Sequence, residues 1–202
     1  MQNYICINNQ KIDLTEDQIK QVAEACGIQS NRLSESAVGE IVKIGSYEMV
    51  VLEQFGGQTA LILKDLYVEE SEFAEKGNRY DGSYVDEKCQ EFAQKLADIV
   101  GWDNIVLHEV DLTSDDGLKD YGTVERRASL ITAEMYRRYV EVLDTVNPEK
   151  WWWLATPHST QRHGNDAWVK CVSPSGFLSL NCDSGFGVRP FCILKSNIFV
   201  SK

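Results

Sequence analysis

His158 and His163 form an H-x4-H pair inside PHSTQRHGNDAW, residues 157–168. Paired imidazoles can hold zinc, but a helical zinc pair needs the i, i+4 register and a third ligand. Here the spacing is i, i+5, the run is rich in Ser, Thr, Gln and Gly, and no acidic ligand follows at a recognised distance. The pair reads as part of an exposed polar loop, and His108, in a strand-like run, as structural. Cys171, Cys182 and Cys192 follow at spacings of eleven and ten residues. A cysteine nucleophile needs a thiolate beside a base, and no local signature of that chemistry surrounds them. They read as structural thiols, with Cys171 and Cys182 able to oxidise if a hairpin brings them together. The P-loop, the G-x-S-x-G elbow and H-E-x-x-H are missing, and GFG at 185–187 is too short for a nucleotide loop. TSDDG at 113–117 lacks the later ligand positions and the closing Glu of a calcium loop, so it reads as a turn. No catalytic residue, metal set or cofactor is assigned.

The aromatic residues carry more information. Trp151, Trp152 and Trp153 alternate sides if extended, so at least one must meet an apolar layer. Trp168 follows after the polar run. Tryptophan suits a core and a binding surface equally, and core packing is the first reading for most of the four.

The surrounding elements follow from periodicity. GEIVKIGSYEMVVLEQFGGQTALILKDL (39–66) gives three strands, 40–44, 47–54 and 59–65, joined by Gly-bearing turns. Residues 68–84 read as a polar loop. A helix over 86–102 presents Cys89, Phe92, Leu96 and Val100 on one stripe. Residues 104–112 form a strand. A second helix, 132–144, is capped by Thr132 and turns Met135, Tyr136, Tyr139, Val140 and Leu143 inward. AWVKCV and FLSLNC flank SPSG as a hairpin. GVRPFCIL (187–194) is a last strand, placed at an edge or bulged because Pro190 has no N–H. Residues 1–37 form a small strand–helix appendage. In it YICI is a strand, Thr15 and Gln18 make a capping box for a helix over 15–26, and 29–37 is a linker. The main domain is 38–202.

The 202 residues carry a net charge of −11, divided unevenly: residues 151–202 hold +3, and residues 1–150 hold −14. Phosphate-backbone binding needs clustered Lys and Arg, so nucleic acid is excluded as a partner. An acidic face able to engage a basic protein stays open. No run approaches the ~20 apolar residues of a membrane helix, and the start has no basic, apolar leader. A cytoplasmic or phage-particle location is expected, with no membrane partner.

WWLATP (152–157), AWVKCVSPSGFLSLNC (167–182) and GVRPFCIL together resemble the C-terminal signature of the DUF6273 family of bacterial and phage proteins, and residues 39–66 resemble its opening meander. That family is similar to C-type-lectin-like folds, which include formylglycine-generating enzymes and retroelement-diversified variable proteins. The resemblance spans residues 38–199. It implies an α+β, C-type-lectin-like fold with twisted antiparallel sheets, two main helices and long loops. It implies scaffold roles for Trp152, Trp153, Gly187, Arg189 and Pro190. A buried Arg189 then needs a carboxylate or carbonyl partner. The Glu-Pro-Asn, Gln-Pro-Asp and Trp-Asn-Asp calcium signatures of lectins are absent, as are the paired cysteines of the formylglycine enzymes.

The leading expectation is a non-enzymatic binding module for a protein or glycan, displaying the loops 158–167 and 178–186. Its candidate contacts are His158, Gln161, Arg162, His163, Asn165, Asp166, Trp168, Ser179, Asn181, Asp183 and Phe186. The alternatives are a phage-encoded inhibitor that docks an acidic face on a host protein, and a Cys/His enzyme. Oligomerisation is compatible with each.

Overall fold

The computed structural model describes residues 4–7, 10–13, 15, 17, 18, 21, 30–181 and 185–201. The strands, in chain order, are β1 (Tyr4–Ile7), β2 (Gln10–Asp13), β3 (Ser30–Arg32), β4 (Ile41–Ile44), β5 (Tyr47–Phe55), β6 (Gln58–Leu63), β7 (Val68–Ser71), β8 (Ile105–Val106), β9 (His108–Asp111), β10 (Thr123–Arg126), β11 (Ala128–Ser129), β12 (Trp152–Pro157), β13 (Val169–Val172), β14 (Leu178–Asn181), β15 (Phe186–Val188), β16 (Phe191–Lys195) and β17 (Phe199–Ser201). Two α-helices are described, α1 (Tyr84–Val100) and α2 (Ala133–Leu143). The fold class is α+β. One sheet has the order β11-β16-β6-β5-β4-β17-β3, with β8 also paired to β16, and a second runs β14-β13-β12-β15-β7. β1–β2 and β9–β10 are separate hairpins.

Both helices start on a side-chain cap. Ser83 Oγ accepts the Asp86 N–H at 3.2 Å, and Thr132 Oγ1 accepts the Met135 N–H at 3.2 Å. The α1 stripe Cys89, Phe92 and Leu96 is fully buried. Phe92 and Leu96 pack with Met49, Val51 and Leu61 on one face of the large sheet. α2 turns Tyr136 and Leu143 onto the opposite face, where Val50, Ile62, Trp152 and Leu154 lie. A third cluster gathers Phe73, Tyr80, Cys89 and Leu112 around Trp153 and Cys171.

The tryptophan run is extended and alternates as its spacing requires. Trp152 enters the α2 cluster, while Trp151 and Trp153 turn to the third cluster. Trp152 and Trp153 are fully buried, and their indole N–H groups donate to Asn147 Oδ1 at 3.0 Å and the Ser71 carbonyl at 2.9 Å. The strip is a core staple first.

Several expectations need correction. GVRPFCIL is two strands in two different sheets. β15 pairs with β12 and β7, β16 pairs with β6, and the chain crosses over at Arg189-Pro190. Pro190 still accepts the Leu63 N–H at 2.9 Å, and its own missing donor falls at the crossover. The sheets are not wholly antiparallel, because β12 and β15 run parallel with Trp152 opposite Gly187. A Cβ on Gly187 would lie 2.3 Å from Leu66 Cδ1, so a side chain at this crossing would have to displace Leu66. Residues 68–71, read as loop, form β7 against β15. The strand expected over 104–112 breaks into β8, on the large sheet, and β9, in a hairpin. Residues 30–36, read as linker, bring β3 onto β17 and bury Leu33 and Ser36. Thr15 and Gln18 do form the capping box, at 2.8 and 3.3 Å, and Asp17, Gln18 and Gln21 are helical. The rest of the helix expected over 15–26 lies outside the described residues.

Candidate functional site

β12 ends at Pro157, and the chain returns to β13 at Val169 through an eleven-residue loop. The loop is closed at its base by His158 N–H donating to the Trp168 carbonyl at 2.9 Å. Buried Asn78 spans that base: its Nδ2 donates to the carbonyls of Ser159 and Trp168, both at 2.9 Å, and its Oδ1 accepts from Tyr121 at 2.7 Å. Gln161–His163 make one 3-10 turn, ended by Gly164 at φ 70°. Gly164 tolerates this left-handed conformation because it has no Cβ.

The turn after β9 holds the loop in place. Asp116 Oδ2 accepts from Ser159 Oγ at 2.6 Å and meets His163 Nδ1 at 2.9 Å, while its Oδ1 accepts from Ser114 Oγ at 2.5 Å. These hydrogen bonds, from Ser114 foremost, then Ser159 and His163, hold the Asp116 carboxyl well below the usual carboxylate range. Asp120 accepts from Thr160 Oγ1 at 2.6 Å and pairs with Arg162. Asp115 lies 2.7 Å from Lys170 Nζ, 3.3 Å from Arg137 and 3.9 Å from His158. Burial raises the Asp115 carboxyl, but the cations at Lys170 and Arg137 outweigh it and the net shift is downward. A polar cleft of about 240 Å3, lined in part by Asp115, Lys119, Thr132 and Arg137, opens beside this clamp.

On this frame Gln161, Arg162, His163, Asp166 and Trp168 are exposed, and His158 and Asn165 are half-buried. Ser159 and Thr160 are buried and serve as anchors. Ser179 and Asn181 sit on β14, a strand and not a loop. The register Val169↔Asn181 puts the end of β14 beside the loop base. Phe186 is not brought to the loop. It lies on β15, two strands beyond β13, with its ring stacked on Trp151 at 5.4 Å and tilted on Trp153 at 4.7 Å. Asp183 lies outside the described residues, as does Cys182. The residues the motif reading missed are Asn78, Asp115, Asp116, Tyr121 and Asp120. The signal was present in the charge division: the acids of 113–120 answer the cations of the C-terminal segment.

Cys89, Cys171 and Cys192 are buried free thiols. Burial pushes Cys171 and Cys192 up to about 12, and Cys89 shifts the same way. Cys171 faces Ser179 across the hairpin. His163, the base a thiol site would need, is held by Asp116 instead. Among the described residues no three His, Cys, Asp or Glu side chains group around a metal-sized point. His108 packs edge-on against Phe191 at 5.2 Å and meets Ser129 Oγ at 2.9 Å. Burial lowers its pKa to about 4, so it stays neutral at pH 7. It lines an apolar cleft of about 430 Å3 with Phe55, Met135, Tyr139 and Phe191. No described helix is long and apolar enough to cross a membrane.

No family model, curated protein or solved structure matches this chain.

Proposed function

We propose that this chain is a non-enzymatic binding module that recognises a protein or glycan through the 158–168 loop, on a C-type-lectin-like frame of the DUF6273 kind. The observation that carries the reading is the acidic clamp. Asp115, Asp116 and Asp120 fix a loop that turns Gln161, Arg162, His163 and Trp168 outward, with Arg162 held by Asp120 and His163 by Asp116 while both stay exposed. A surface fixed before contact loses less conformational freedom on binding. Tryptophan and arginine are the side chains that most often dominate recognition energy. Ser179 and Asn181 extend the face along β14. The clamp also pairs Asp115 with Lys170 and Asp120 with Arg162, which leaves less free negative charge in that turn for the acidic-inhibitor reading.

The test compares the full chain with a Gln161/Arg162/His163/Trp168→Ala variant on glycan arrays and against candidate protein partners. The four-alanine variant should lose at least about tenfold in affinity for whatever the parent binds. Asp116→Ala, which frees the loop without removing a contact side chain, should weaken the same binding by several-fold. Binding that survives the four substitutions within twofold places the site elsewhere. Binding that falls steeply with salt and ignores both variants points to the acidic body instead.

A further inference from the structure

β14 is an open edge of the five-stranded sheet. In the hairpin turn, Ser173 N–H donates to the Phe177 carbonyl at 3.0 Å and Gly176 N–H to the Ser173 carbonyl at 2.9 Å. Antiparallel pairs alternate between bonded and non-bonded. With the register Cys171↔Ser179 and Val169↔Asn181 as the bonded pairs, the N–H and C=O of Leu178 and Leu180 point out of the sheet. Among the described residues no backbone group pairs with them.

Three other outer strands of the two larger sheets, β7, β3 and β11, are managed in ways β14 is not. β7 carries exposed Glu69 and Glu70. β3 carries Arg32. β11 is covered by α1, where Gln90 Nε2 donates to the Ala128 carbonyl at 2.9 Å. Charge or cover of this kind keeps an edge from pairing. β14 reads Leu-Ser-Leu-Asn, with no charge, and Phe177 at its start is 56% exposed. The cation opposite Leu180, Lys170, is paired with Asp115 at 2.7 Å.

We infer that β14 pairs antiparallel with β14 of a second copy of this chain, about a two-fold axis through Ser179. In that register Leu178 meets Leu180 of the second copy and Leu180 meets its Leu178. All four outward groups on each edge then pair, making four hydrogen bonds and one continuous ten-stranded sheet. No like charges face each other at the axis, whereas a β7–β7 pairing would oppose glutamates. A two-fold contact of this kind is self-complementary and closes at the dimer. Four residues a side cover less than the ~1,200 Å2 of a standard interface, so the dimer is weak, with a dissociation constant of roughly 10–100 µM. The net charge of −11 on each copy opposes association until salt screens it. The inference uses the backbone of β14 and does not rest on the loop reading.

Sedimentation velocity on the full chain over about 5–500 µM, at low and high salt, tests it. The parent should pass from monomer to dimer, with a lower dissociation constant at high salt. Ser179→Lys and Ser179→Glu, each placing like charges on the axis, should stay monomeric, while their equimolar mixture should regain the dimer. Recovery in the mixture shows that both variants are folded. A parent that stays monomeric throughout overturns the inference. So does a dimer that Ser179→Lys leaves intact, or a mixture that fails to associate although each variant melts like the parent.

Discussion

Arg189 is fully buried yet has no carboxylate on it. Its Nε donates to the Leu63 carbonyl at 2.8 Å and its Nη2 to the carbonyls of Lys64 and Val146 at 3.0 Å each, and the guanidinium lies 5.1 Å from the Trp152 ring centre. Burial lowers its pKa to about 10, with Asp65 and Tyr136 opposing the shift, so the group remains charged at pH 7. One side chain thus ties the β12 segment to the end of β6 at the point where the chain changes sheets. Arg189→Met leaves three carbonyls without that donor. At about 1 kcal/mol for each hydrogen bond, the variant should lose about 3 kcal/mol in urea unfolding followed by tryptophan fluorescence. Arg189→Lys should recover less than half, because an ammonium has no planar fork to reach the separate acceptors. A loss under ~1 kcal/mol for the Met variant would make the three bonds incidental. That a buried Arg189 needs a carbonyl or carboxylate was an expectation carried by the family resemblance; which carbonyls it takes depends on two distant segments, 63–64 and 146.

The elements whose ends are set by local chemistry are those the sequence shows best. Thr132 caps α2, and its neighbour Ala133 also donates to Thr156 Oγ1 at 2.9 Å, so this cap is joined to β12. Ser83 caps α1 through Asp86 alone, and Asp86 also holds Arg126. Thr132→Ala and Ser83→Ala should each cost about 1 kcal/mol in thermal unfolding. Equal stability to the parent would show that the helix ends are held by packing instead. The helix expected over 86–102 begins two residues earlier, at Tyr84; Val85 already extends the buried stripe of Cys89, Phe92 and Leu96, and the cap at Ser83 was the better marker of the start. β7 was read as loop, and β15 as one strand with β16. VEES has no apolar alternation, and it is a strand only because Phe186 and Val188 come alongside it.

The whole molecule hides its described thiols in two of its three apolar clusters. Cys192 lies in the α1 cluster, and Cys89 and Cys171 lie around Trp153. Reagents reach all three only when the packed layers open. At pH 8 they should react at least about 10³-fold slower in the native protein than in urea, read peptide by peptide by mass spectrometry. Fast native labelling of Cys171 would return a thiol enzyme to consideration. The charge division has a comparable whole-molecule meaning. The acids of 113–120 lie about forty residues from groups they hold, Asp116 with the Ser159 hydroxyl and Asp120 with the Thr160 hydroxyl and Arg162.

The sequence by itself determined the meander of β4, β5 and β6, the two helices, the hairpin of β13 and β14, and that at least one of the three adjoining tryptophans meets an apolar layer. Each depends on periodicity, a cap or a turn within about twenty residues, so the local chain carries the information. The tertiary structure alone decided that the strand through Pro190 is divided between two sheets, that residues 30–36 join the large sheet, and that a turn of aspartates clamps the 158–168 loop. It also decided that Phe186 joins the tryptophan stack and not the loop. These depend on contacts between distant segments, whose closure is favourable only once the intervening chain has folded, and no local pattern records them.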